Sequence, residues 1–79
     1  MDLNVAWESP YETGPEHIAW FEDRAASVEY LLTWVPGSPS VRPRICAFPG
    51  SKLPEGVEPG DVLVAMDAAL MRGGYRSFA

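Results

Sequence analysis

Hydrophobic and polar residues alternate at the start of the chain. Leu3, Val5 and Trp7 fall on one side of residues 3–8 and Asn4, Ala6 and Glu8 on the other, which predicts a short strand. Residues 9–15, Ser-Pro-Tyr-Glu-Thr-Gly-Pro, then break regular structure. Thr13-Gly14-Pro15-Glu16 has the spacing of a capping box, with Thr13 as N-cap and Glu16 at the third helical position, and predicts a helix start. From there the apolar positions fall at Ile18, Phe21, Ala25, Val28, Leu32 and Val35, the steps of three and four of an amphipathic helix of about five turns. Trp20, Leu31 and Trp34, with Arg24 and Ser27 between them, form a neighbouring stripe, and Glu22, Asp23 and Glu29 are left for solvent. Such a helix is apolar over more than a small core requires. The Trp20/Trp34 face then either completes the core or meets a partner.

The same residues carry a second pattern. Val28, Tyr30, Leu32 and Trp34 also alternate and are largely β-branched or aromatic, so the helix can stop near Ala26 and a strand run over 28–35. Residues 36–40, Pro-Gly-Ser-Pro-Ser, then become a hairpin loop, and Val41 to Phe48 its return strand. Pro43 places that strand at an edge or delays its start. Residues 49–60 hold three prolines and three glycines and read as a turn segment. Asp61 is placed to cap a second helix. Val62, Leu63, Met66, Ala69 and Leu70 recur at helical spacing up to Gly73, so 61–72 reads as a helix, although Asp61 to Asp67 also reads as a buried strand.

The fold class expected from these elements is α+β: a single domain with one or two amphipathic helices on a small antiparallel sheet. The sheet would draw on residues 3–8, part of 28–48 and the C-terminal Tyr75 to Phe78. A chain of 79 residues has room for one core. Its single cysteine, Cys46, excludes an internal disulfide and a multi-thiolate zinc site, and its apolar neighbours favour a buried, reduced thiol. No apolar run reaches the roughly 18–20 residues of a membrane span, and the start lacks the pattern of a secretory signal; a soluble, cytoplasmic protein is expected.

Charge changes the picture. Residues 1–35 hold seven of the eleven carboxylates, one base and all three tryptophans. Residues 36–54 hold three bases and no acid, and the total is −5. Direct nucleic-acid binding is disfavoured, because phosphate contact rewards clustered Lys and Arg. An anionic, aromatic surface suits a basic protein groove instead: charge steers the encounter and buried aromatic anchors hold it.

Enzyme chemistry has little to stand on. His17 is the only histidine, and with flexible carboxylates such as Glu12, Glu16 or Asp23 it makes a poor zinc site; neither metal nor cofactor is expected. A His17/Cys46 nucleophile pair has no local context, and no Gly-x-Ser-x-Gly elbow or phosphate-cradling glycine loop occurs.

Two resemblances add expectations. Gly56-Val57-Glu58-Pro59-Gly60-Asp61-Val62-Leu63-Val64-Ala65-Met66-Asp67 resembles the stretch of PDZ domains that leads into an inner strand. It implies a strand over 61–67, while the carboxylate-binding loop of that family is missing. The carboxylates Asp2, Glu8, Glu12, Glu16, Glu22, Asp23 and Glu29 on a small acidic aromatic domain make the chain similar, in type and charge pattern, to phage-encoded anti-CRISPR proteins, many of which present carboxylates to the basic channel of a CRISPR surveillance complex. That resemblance implies a non-enzymatic inhibitor that binds a larger basic nucleoprotein complex. Glu12, Glu16, Glu22, Asp23 and Glu29 are the expected contacting carboxylates and Trp20 the anchor. The alternatives are a self-associating module of toxin–antitoxin type, with the apolar stripe as a homodimer seam, and a small enzyme using His17 or Cys46.

Overall fold

Strand alternation, rather than helical period, governs the N-terminal half. The computed structural model describes residues 2–10, 16–37, 42–50 and 52–75. They form four strands, β1 (Leu3–Pro10), β2 (His17–Asp23), β3 (Val28–Trp34) and β4 (Arg44–Phe48), followed by one helix, α1 (Pro59–Arg72). Each strand runs antiparallel to the next in the order β1-β2-β3-β4. The α+β class expected from the sequence is the class observed.

The helix expected from Ile18 to Val35 is replaced by β2, a turn and β3. Ala19, Phe21 and Asp23 are buried on β2, and Tyr30, Leu32 and Trp34 on β3, each two residues from the next. The helical steps in the sequence arise because Ile18, Trp20 and Leu31 add apolar residues to the opposite face of the same strands, which obscures the alternation. Aromatic and β-branched residues favour the pleated pairing. The competing reading of 28–35 as a strand therefore holds. Its return strand is β4, which begins just after Pro43 on the sheet edge, where a missing N–H is tolerated. Thr13 of the expected capping box lies outside the described residues, and Glu16 precedes a strand, not a helix.

The β2–β3 turn is tied by Asp23, whose Oδ1 accepts hydrogen bonds from the backbone N–H groups of Ala25 (3.1 Å) and Ala26 (3.3 Å). Ser27 closes it at a φ of 54°, a left-handed position uncommon for a residue with a side chain.

β1 contains a bulge. Val5 pairs with Phe21 and Trp7 with Trp20, so Ala6 is the extra residue. Leu3 and Val5 stay on the core face, but Trp7, which simple alternation groups with them, is turned to the opposite face.

α1 packs Val62, Met66, Ala69 and Leu70 against Leu3, Phe21, Tyr30, Leu32 and the other buried residues of one sheet face. In its last turn, Arg72 Nη2 donates to the Leu3 carbonyl at 2.8 Å, fastening the helix to the edge strand β1. The helix starts earlier than the sequence suggests, with Glu58 at the N-cap and Pro59 in the first turn, where its missing N–H costs no bond. Asp61, expected as the cap, lies within that first turn, where its charge complements the helix dipole. Gly73 keeps a right-handed φ of −80°, and Gly74, at φ 80°, makes the left-handed exit. The strand implied for 61–67 by the PDZ-like stretch is overturned, because those residues supply the apolar stripe of α1. Tyr75 lies outside any strand, and residues 76–78 of the expected C-terminal strand are outside the described residues.

The core makes one pH prediction. Burial, and secondly the negative charge of Asp23, push the Tyr30 phenol above its ordinary value of 10.0. The folded chain therefore holds a proton that the unfolded chain has begun to release. This contribution to stability is complete below about pH 10 and is lost as pH rises through the folded value. Tyr30→Phe is expected to flatten the alkaline fall in stability, checked by urea midpoints between about pH 9 and 11.

Candidate partner-binding face

A sheet covered by one helix leaves its other face without a packing layer. Among the described residues, no helix or strand covers the face opposite α1. The register lays it out in rows that cross the strands. One row is Asn4, Glu22, Glu29 and Phe48; the next is Trp7, Trp20, Leu31 and Cys46; a third includes Ile18, Thr33 and Arg44.

The middle row is apolar. Trp20 stacks on Trp7, with ring centroids 6.4 Å apart and planes at 12°, and on Phe48, at 5.1 Å and 25°. The three rings run obliquely from one edge strand to the other. Trp7 is 44% exposed, while Trp20, Leu31, Cys46 and Phe48 are half-buried. An open face of large aromatics on so small a domain is the kind of patch that marks an interaction site.

The row beside it is acidic. Glu22 and Glu29 are direct cross-strand partners, so two carboxylates stand on adjacent strands of the same face. Neither makes an ion pair among the described residues. Like charges placed opposite one another destabilise a sheet, by roughly 0.2–1 kcal/mol on the scale of such pairs. Beside them lies a depression of about 600 Å³, lined by Glu22, Glu29, Phe48, Pro49 and residues of the β2–β3 turn that include Arg24.

The residues expected to contact a partner are thus divided. Trp20, Glu22 and Glu29 share the open face. Asp23 is on the core side, 5% exposed, with its carboxylate directed into the turn. Glu16 lies at the far end of the sheet, where its Oε1 is 3.5 Å from Arg44 Nη2. Glu12 lies outside the described residues. Sequence reasoning sets Leu31 beside Trp20 on one stripe, though as a helix face shared with Trp34, which the sheet turns to the core side; it misses Phe48 and groups Trp7 with Leu3 and Val5. Phe48 becomes evident once β3 and β4 are paired in register; Trp7 depends on the bulge, which no residue type announces.

The two residues of the enzyme alternative are set apart. His17 faces the core side, where its Nδ1 donates to Glu8 Oε1 at 2.8 Å and its ring lies 5.4 Å from that of Trp34. Cys46 lies on the open face, two strands away. Among the described residues there is no cluster of three or more metal-ligating side chains, and no helix is long and apolar enough to cross a membrane. Comparison with protein-family models, curated proteins and solved structures finds no match for this chain.

Proposed function

We propose that this chain is a non-enzymatic binding module that docks through the open face of its sheet onto a basic surface of a larger, nucleic-acid-handling protein complex. In that role it is an inhibitor of the anti-CRISPR type, holding a groove that phosphates otherwise occupy. The observation that carries the reading is the placement of two carboxylates, Glu22 and Glu29, that make no ion pair among the described residues, beside the Trp7–Trp20–Phe48 stack. Carboxylates can take the places of phosphates among Lys and Arg side chains if a rigid element presents them, and a central antiparallel strand pair is such an element. The aromatics supply contact area and slow dissociation, and the net charge of −5 speeds encounter with a basic partner.

The test is recovery of partners on immobilised protein at low and high salt, with and without nuclease, read by mass spectrometry. A nucleic-acid-handling complex that survives nuclease and weakens with salt is the expected result. Recovery that depends on intact nucleic acid contradicts it.

Self-association through the same face is a second reading, favoured by one observation. Arg44 sits on that face at the end opposite Glu22 and Glu29, so a two-fold, face-to-face pairing brings unlike charges together. Light scattering distinguishes the two. A dimer that withstands salt points to the seam, and a monomer that forms a salt-sensitive hetero-complex points to the inhibitor.

A further inference from the structure

The chemistry of the open face selects among basic groups. We propose that its occupant is an extended protein segment bearing arginine, whose guanidinium groups stack on the Trp7–Trp20–Phe48 rings and pair with Glu22 and Glu29; this rests on the reading that the face binds a basic protein.

Three features converge on guanidinium. The rings are near-parallel, at 12° and 25°, and a planar delocalised cation extends such a stack where a compact ammonium does not. The carboxylates lie in the adjacent row, so one side chain can place its plane on a ring and its N–H fork on an oxygen. The spacing fits at one step: same-side residues of an extended chain recur about every 6.5–7 Å, close to the 6.4 Å between the Trp7 and Trp20 rings, whereas the 5.1 Å between Trp20 and Phe48 leaves that pair to serve one side chain.

Other occupants fit less well. Aromatic sheet faces also suit the bases of single-stranded nucleic acid. Here, however, the row beside the rings carries two carboxylates, Arg44 is within reach of Glu16, and Arg24 lies at the depression that Glu22 and Glu29 also line. Phosphates would meet repulsion where they need cations. A second copy brings another chain of net charge −5 to the same surface.

The probes are an alternating Arg-Ser peptide and an alternating Lys-Ser peptide of equal length, titrated into the whole protein at low salt and followed by tryptophan fluorescence. The arginine peptide is expected to bind about fivefold or more tightly. Trp7→Leu keeps apolar bulk at an exposed site and is expected to erase most of that preference. The isosteric pair Glu22→Gln and Glu29→Gln is expected to weaken both peptides alike. Circular dichroism checks that each variant is folded. Equal affinity for the two peptides overturns the guanidinium inference and leaves the basic-partner reading standing. Binding of neither overturns both, and so does tighter binding of a single-stranded oligothymidylate.

Discussion

Phe21→Ala is expected to remove about 3–5 kcal/mol of stability, the usual cost of deleting a large buried aromatic. The side chain is fully buried at the centre of the sheet, paired with Val5 on β1 and Tyr30 on β3, within the cluster that α1 covers with Val62, Met66 and Leu70. By the per-residue scale of small domains, a chain of 79 residues has about 4–12 kcal/mol in total. The substitution therefore consumes a large share of the whole, with neither disulfide nor second core to compensate. Phe21→Leu keeps most of the volume and is expected to cost about 1–2 kcal/mol. Urea denaturation checks both. Unchanged midpoints would mean that α1 does not pack on this face.

Glu22→Lys is expected to separate stability from binding. In the folded chain the new ammonium stands opposite Glu29, converting a like-charge cross-strand pair into an opposite-charge one and raising stability by about 0.5–1 kcal/mol. On the open face the same change places a cation against a basic partner and is expected to weaken capture about tenfold to a hundredfold. Few surface substitutions stabilise a fold while removing its activity; the combination is what a functional charge pair retained at a cost in stability produces. Thermal unfolding and recovery of the partner at fixed salt provide the two readings. If the variant captures its partner as well as the parent does, the carboxylates serve solubility and the partner docks elsewhere.

The legibility of each element depends on how its apolar residues are distributed between faces. α1 is visible in the sequence because Val62, Met66, Ala69 and Leu70 recur at helical spacing, with proline at its start and glycines after it, even though Val64 and Met71 put apolar side chains on its exposed side. β1 and the β3–β4 hairpin are visible as alternation bounded by turn residues. β2 is lost because Ile18 and Trp20 on the open face and Ala19 and Phe21 on the core face give four apolar residues in succession, and Ala25, Ala26 and Val28 across the turn complete a false helical period. The feature that hides the strand is the feature that forms the candidate site: a sheet apolar on both faces loses its period-two signature. Glu22 and Glu29, already favoured by charge, are brought together by register. Asp23 belongs with the turn, a role that an acidic residue two positions before a backbone N–H commonly plays.

The three indoles offer the most direct test of the central claim, that the open sheet face is the docking surface. Trp7 and Trp20 lie on that face, and Trp34, 4% exposed, lies on the core side as an internal control. Their N–H signals are recorded by nuclear magnetic resonance while the alternating Arg-Ser peptide is added to saturation. The predicted result is movement of the Trp7 and Trp20 signals with that of Trp34 unchanged. Movement of Trp34 together with the amides of α1, while Trp7 and Trp20 stay in place, would put the partner on the other side of the sheet and contradict the account.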